Sequence, residues 1–191
     1  MNFLAFDTSR DSLTVALSYN DKLYYRDCPN ERMRHSELFL TLAEQLLKEA
    51  EADIKEIGAF AAVVGPGSFT GIRIGISGAN ALAFSTGAKR VGITAFELMA
   101  YNIDGEATLT IEAGQGNKYV AYKKNGEYIY DFIEKGVEVS ALGTLIEQSS
   151  LSDFPKRMAD VVKEKIERQN FCDMLAPMYL RKSQAERNYD I

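Results

Sequence analysis

Histidine is almost absent from this chain: His35 is the only one in 191 residues. A hydrolytic zinc site generally needs more than one such ligand, and a Ser-His-Asp relay would have to rest on this single residue. Cysteine is nearly as scarce. Cys28 and Cys172 lack the paired spacing of a metal site and read as free thiols of a reducing compartment. Long apolar runs are missing too. The longest, Ala59 to Val64, falls far short of the ~20 residues that cross a bilayer, so no membrane association is expected. The start, Met1 to Asp7, has neither the basic residue nor the apolar length of a secretion signal, and a cytoplasmic location is the expectation. Positive charge is not in excess. A net charge of −5 argues against nucleic-acid binding by the chain alone, which needs a basic footprint.

What stands out is glycine in one place, Val64-Gly65-Pro66-Gly67-Ser68-Phe69-Thr70-Gly71-Ile72-Arg73-Ile74-Gly75. The segment follows the apolar run, which reads as a buried strand, and leads into a small-residue helix from Ile76 to Thr86. Ser68 or Thr70 can cap that helix by accepting from its first free N–H groups. Gly71, Gly75 and Gly78 share one helix face at spacings of four and three. Each costs such a helix about 1 kcal/mol against alanine, so the face serves close approach by a strand, a helix or a ligand. A tight connection and a phosphate cradle at the helix N-terminus both fit. The lysine of a P-loop is absent.

Around this segment the sequence reads as a mixed α/β chain. The strand Phe3–Phe6 ends at Asp7-Thr8-Ser9, and a hairpin turns at Asn20-Asp21 between Leu13–Leu17 and Leu23–Tyr25. A helix runs from Arg34 to Ala50, a strand from Arg90 to Thr94 and a helix from Ala95 to Asn102. The order then restarts: strand Leu109–Glu112, then a hairpin at Asn125-Gly126 between Tyr119–Tyr122 and Tyr128–Tyr130. An offset of 105 carries Asp7 onto Glu112, Ala16 onto Ala121 and Tyr25 onto Tyr130 without a gap. Helices are expected at Ala141–Gln148 and Lys156–Asn170, the latter with a solvated face at Lys163–Arg168. Two such halves around a cleft describe the actin-like ATPase architecture (ASKHA, RNase H-like), duplicated and with a reduced second domain. The expected division is 1–103 and 104–191, with the tail from about 176 returning to the first domain. In this fold an acid ending the first strand of each half faces nucleotide and metal. Asp7, Thr8 and Ser9 with Glu112 are therefore vestigial phosphate-loop candidates, and a turn that satisfies neighbouring N–H groups is the other reading of residues 7–9.

Five blocks together resemble the bacterial TsaB family (formerly YeaZ): Leu4 to Ser9, His35-Ser36-Glu37, Gly65 to Gly75, Tyr119-Val120-Ala121, and Pro177-Met178-Tyr179-Leu180-Arg181. The resemblance implies a non-catalytic subunit that pairs with a catalytic paralogue, TsaD, and an ATPase, TsaE, to form N6-threonylcarbamoyladenosine (t6A) at position 37 of tRNA. It implies contact with tRNA only through the complex, and a homodimer when the partner is absent. No metal is expected, because His35 is the only histidine of a helix in which the paralogue uses two. No cofactor is expected on the chain alone, with ATP or ADP at the subunit junction of the complex. The implied interface is built from the first two helices, at Leu38, Leu42, Leu46, Ile72, Gly75, Ile76, Ala79 and Ala83. A deeply buried core helix is the other reading of the same apolar rows. Glu112-Ala113-Gly114 departs from the family's Asp-Ala-Arg. The acid pair Asp7 and Glu112 also supports a different class, an actin-like small-molecule kinase or nucleotide-binding protein, which ATP would protect against heat.

Overall fold

The computed structural model describes residues 1–29 and 34–180. The chain begins with β1 (Phe3–Asp7), β2 (Leu13–Tyr19) and β3 (Lys22–Cys28), followed by α1 (His35–Glu49). Next come β4 (Ala59–Gly65), α2 (Phe69–Thr86), β5 (Lys89–Thr94) and the short α3 (Ala95–Ala100). The second half holds β6 (Ala107–Glu112), β7 (Lys118–Lys124), β8 (Glu127–Ile133), β9 (Thr144–Glu147) and α4 (Phe154–Glu167). The first sheet has the order β3-β2-β1-β4-β5 and the second β8-β7-β6-β9. In both, the first strand pairs antiparallel with the second and parallel with the fourth. The second sheet is thus a shortened copy of the first, as the actin-like fold requires.

The repeat is sound in topology and shifted in register. Ala5 lies opposite Ala16, but Ala121 lies opposite Leu109. The first pairing of the second half is therefore one residue tighter than an unbroken offset of 105 demands. Ile111, not Glu112, takes the place that Asp7 has relative to its hairpin.

Alternation along the strands builds two cores. Leu4, Phe6, Val15, Leu17, Phe60 and Ala62 face α1 and α2. Phe3, Ala5, Ala61, Val63, Val91 and Ile93 face the other way, where Phe96 and Met99 of α3, Met158 and Val162 of α4, and Leu109 and Ile111 of β6 join them in one cluster. This second cluster has no boundary between the two halves. Tyr130 of β8 stacks on Phe96 with ring centroids 5.7 Å apart. Beside it, burial first, then the charge of Glu97, pushes the Tyr128 hydroxyl up to about 12.

Two expectations fail here. Ala141–Gln148 is not a helix: Thr144–Glu147 is β9, paired parallel with β6. Leu145 and Ile146 suit a strand, and the non-local partner decides the matter. Nor is the charged run of α4 wholly solvated. Lys165 turns inward, where its Nζ donates to the Gly92 carbonyl at 2.7 Å and lies 2.7 Å from the Glu97 carboxylate. Glu97 in turn closes a capping box with Thr94 at the start of α3.

After α4 the chain returns to the first sheet. Cys172 bridges to Arg90, Leu175 is buried beside α2, and the Met178 N–H donates to the Val64 carbonyl at 2.7 Å. The Asn80 carboxamide of α2 bonds both the N–H and the C=O of Leu175, each at 3.0 Å. Tyr179 stacks on Phe69 at 4.9 Å and accepts a hydrogen bond from Arg73 Nε at 2.7 Å. Arg181, the last residue of the fifth motif block, and the polar tail after it lie outside the described residues.

Candidate functional site

The cleft between the two sheets opens at the ends of β1 and β6 and has a volume of about 560 Å³. Ser9, Arg10, Gly67 and Ser68 form one wall, and Glu112 and Gly114 line the other. Of the phosphate-loop candidates, Ser9 and Glu112 line this cleft. The polar groups of Asp7, Thr8 and Ser9 are occupied by the protein itself.

Asp7 is only 1% exposed. Its Oδ1 accepts from the Ser9 N–H at 2.9 Å and from Ser9 Oγ at 2.6 Å, and its Oδ2 accepts from Arg10 Nε at 2.7 Å. Thr8 faces away from the cleft, into the glycine face of α2. Its Oγ1 donates to the Gly71 carbonyl at 2.6 Å and accepts from the Gly75 N–H at 3.2 Å. A Cβ on Gly71 would overlap the Thr8 carbonyl oxygen, and one on Gly75 would stand 2.5 Å from Thr8 Oγ1. Gly67 packs in the same way on the Ser9 carbonyl, which also accepts from the Ser68 N–H at 2.8 Å. The third glycine of the row, Gly78, receives the ring of Phe39. Close approach, the requirement read from the glycine spacing, is thus met by the turn at residues 7–9 and by α1 rather than by a ligand. Ser68 caps α2 as expected, accepting from the Gly71 N–H at 3.2 Å.

Glu112 does not join Asp7. Its side chain is 69% exposed and lies 3.7 Å from Lys118 Nζ, which also faces Glu147 at 3.5 Å. The one-residue shift in register and the exposed position explain the separation. Gly114 adopts a left-handed φ of 77° in a tight turn closed by Asn117.

No sequence pattern points to Arg10, which lies on this wall. Its Nη2 donates to Thr14 Oγ1 at 2.8 Å, and Thr14 passes the contact on to Asp27 at 2.6 Å. The guanidinium lies 3.6 Å above the ring of Phe154, the first residue of α4. His35, at the start of α1, is 1% exposed, and neither ring nitrogen has a hydrogen-bond partner among the described residues. Among the described residues no three His, Cys, Asp or Glu side chains are grouped as metal ligands. No described helix is long and apolar enough to cross a membrane.

The eight residues expected at a partner interface lie mostly inward in the single chain. Leu42, Leu46, Ile72, Gly75, Ile76, Ala79 and Ala83 are buried within the chain, and Leu38 is half-buried. The apolar rows of both helices face their own sheet, which is the core-helix reading. The outward faces carry other side chains: Leu40, 52% exposed on α1, and Phe84, 84% exposed on α2, with Phe69, Arg73, Ser77 and Ala81 along the same outer row.

Comparison with known proteins agrees with this architecture. The family model for TsaD, tRNA N6-adenosine threonylcarbamoyltransferase, matches residues 29–156. The tRNA threonylcarbamoyladenosine biosynthesis protein TsaB of Escherichia coli is 35% identical over 103 residues, covering 52% of this chain and 43% of that protein. The TsaB protein of Bacillus subtilis is 30% identical over 131 residues, 66% of this chain and 57% of its own. The match thus spans about half the length of these curated relatives. The structure of YeaZ from Pseudomonas aeruginosa superposes with a TM-score of 0.76 at 20% identity, over 93% of this chain and 100% of that one, which establishes a common fold. With more than half of its length matched by the threonylcarbamoyltransferase model, the chain belongs to that family, and within it to the TsaB (YeaZ) group.

Proposed function

We propose that this chain is a non-catalytic subunit in the formation of N6-threonylcarbamoyladenosine at position 37 of tRNA. It acts by pairing with a TsaD-like catalytic paralogue, together with a TsaE-like ATPase. The observation that carries the reading is the state of the cleft. Asp7, Thr8 and Ser9 are bonded to their own neighbours, Glu112 points to solvent, and Arg10 is tied to Asp7. Catalysis needs groups aimed at a reacting atom, and none of these is. ATP or ADP, in this reading, is held at the junction with the partner, and tRNA is met only through the complex. The chain pairs with a second copy of itself when the partner is absent.

The outward face of α1 and α2 supports pairing. A phenylalanine 84% exposed, with Leu40 also on the outer side of this helix pair, is a surface that association would cover. The test is threonylcarbamoyl transfer to tRNA by the purified paralogue, the ATPase and the donor-forming enzyme, with and without this chain. Strict dependence is expected, and transfer at full rate without it would refute the reading. Phe84→Asp is expected to leave the fold intact and to lower partner binding at least tenfold in a titration. Aspartate at Leu42 or Ile76 would instead unfold the protein, since both lie in its core.

A further inference from the structure

Arg10 touches both halves of the molecule. Its Nε and Nη2 are fixed on the first sheet, to Asp7 at 2.7 Å and to Thr14 at 2.8 Å, and Asp27 lies 3.8 Å from the same guanidinium. Its flat face covers Phe154, which belongs to the chain that leaves the second sheet. The side chain is 14% exposed although it lines the open cleft. A guanidinium suits this double duty. It is planar, permanently charged, donates in its plane and stacks through its face, so the two roles do not compete.

We propose that Arg10 is a latch that holds the cleft in one arrangement by fastening the start of α4 to the turn that follows β1. Three features favour a latch over a plain surface ion pair. Asp7 is buried, so its charge needs a cation that stays in place. The Thr14 and Asp27 contacts hold the guanidinium in position. Phe154 is 7% exposed and sits directly after Asp153, whose left-handed φ of 59° turns the chain into α4. The stacked pair therefore lies at the point where the second half swings back across the first sheet. When the latch opens, the 148–160 segment loses its hold on the cleft-side wall, while α1, on the opposite face of the first sheet, is untouched.

Hydrogen exchange by mass spectrometry on the full chain tests this with Arg10→Gln and, independently, Phe154→Leu, which keeps an apolar side chain but removes the ring face. Both variants are expected to lose about tenfold in protection over residues 148–160, with α1 and α2 unchanged. Either of two results overturns the latch: unchanged protection of 148–160 in both variants, or the same loss in every segment, which would mean general destabilisation. Should either variant alone leave that segment protected, the contact between Arg10 and Phe154 is not what fastens α4, and the proposal fails on that result as well.

Discussion

A methyl group at Gly71 has nowhere to go. The atom it would meet is the Thr8 carbonyl oxygen, part of the backbone, and Thr8 is fixed to α2 by two further hydrogen bonds. Gly71→Ala must push β1 and α2 apart, and overpacking of this kind costs about 3 kcal/mol. Gly87 supplies the control. It ends α2 at φ 72° with open space around it, so Gly87→Ala carries only the left-handed backbone penalty of about 1 kcal/mol. Urea unfolding of the two variants should separate them clearly, and equal losses would mean that the contact between Thr8 and α2 is looser than described. The glycine row was legible because helical spacing alone puts residues 71, 75 and 78 on one face. What approaches that face was not legible, because Thr8 is over sixty residues away. Arg10 was illegible for the same reason. A lone arginine in a polar turn has no pattern, and its meaning comes from Phe154, far along the chain.

At the scale of elements, most strands and helices could be read from local pattern, and the failures share one cause. β9 presents Leu145 and Ile146 in a run that suits a helix as well as a strand, and only its parallel pairing with β6 decides. The apolar rows of α1 could be counted, but counting could not say whether they face a sheet or a partner. Phe39 on the ring of Phe6, with centroids 4.1 Å apart, answers for the sheet. The return of the chain over α2 is the element whose hold is easiest to cut. Leu175 is 3% exposed, and Asn80 satisfies both of its backbone groups. Asn80→Ala leaves a buried N–H and C=O unpaired, at a cost of about 2 kcal/mol. Local opening of the strap should then rise roughly thirtyfold. Chymotrypsin cleavage between Phe171 and Tyr179 is expected to accelerate accordingly, with the rest of the chain still resistant. An unchanged cleavage rate would show that Tyr179 on Phe69 and Met178 on Val64 hold the strap without Asn80.

The whole molecule contains one repeat, and its two halves share a core. Residues 1–103 would carry a complete first sheet with α1 and α2 packed on one face. The opposite face is covered from elsewhere: Met158 and Val162 come from α4, and Leu109 and Ile111 from β6. Removing the second half uncovers Phe3, Val63, Val91, Ile93, Phe96 and Met99 to differing extents. At about 2 kcal/mol for each large apolar side chain fully returned to water, the six amount to at most ~12 kcal/mol, the whole margin of an ordinary domain. A fragment of residues 1–103 is therefore expected to lack a cooperative unfolding transition and to bind a hydrophobic dye. The intact chain should melt in a single calorimetric transition whose van't Hoff and measured enthalpies agree. Two separated transitions, or a fragment that folds stably, would mean that the first half is autonomous and the shared core secondary. A single transition would make the second half the cover of a sheet that cannot stand alone. Such a cover can lose its own helices, as this one has between β8 and β9, and keep its place in the fold.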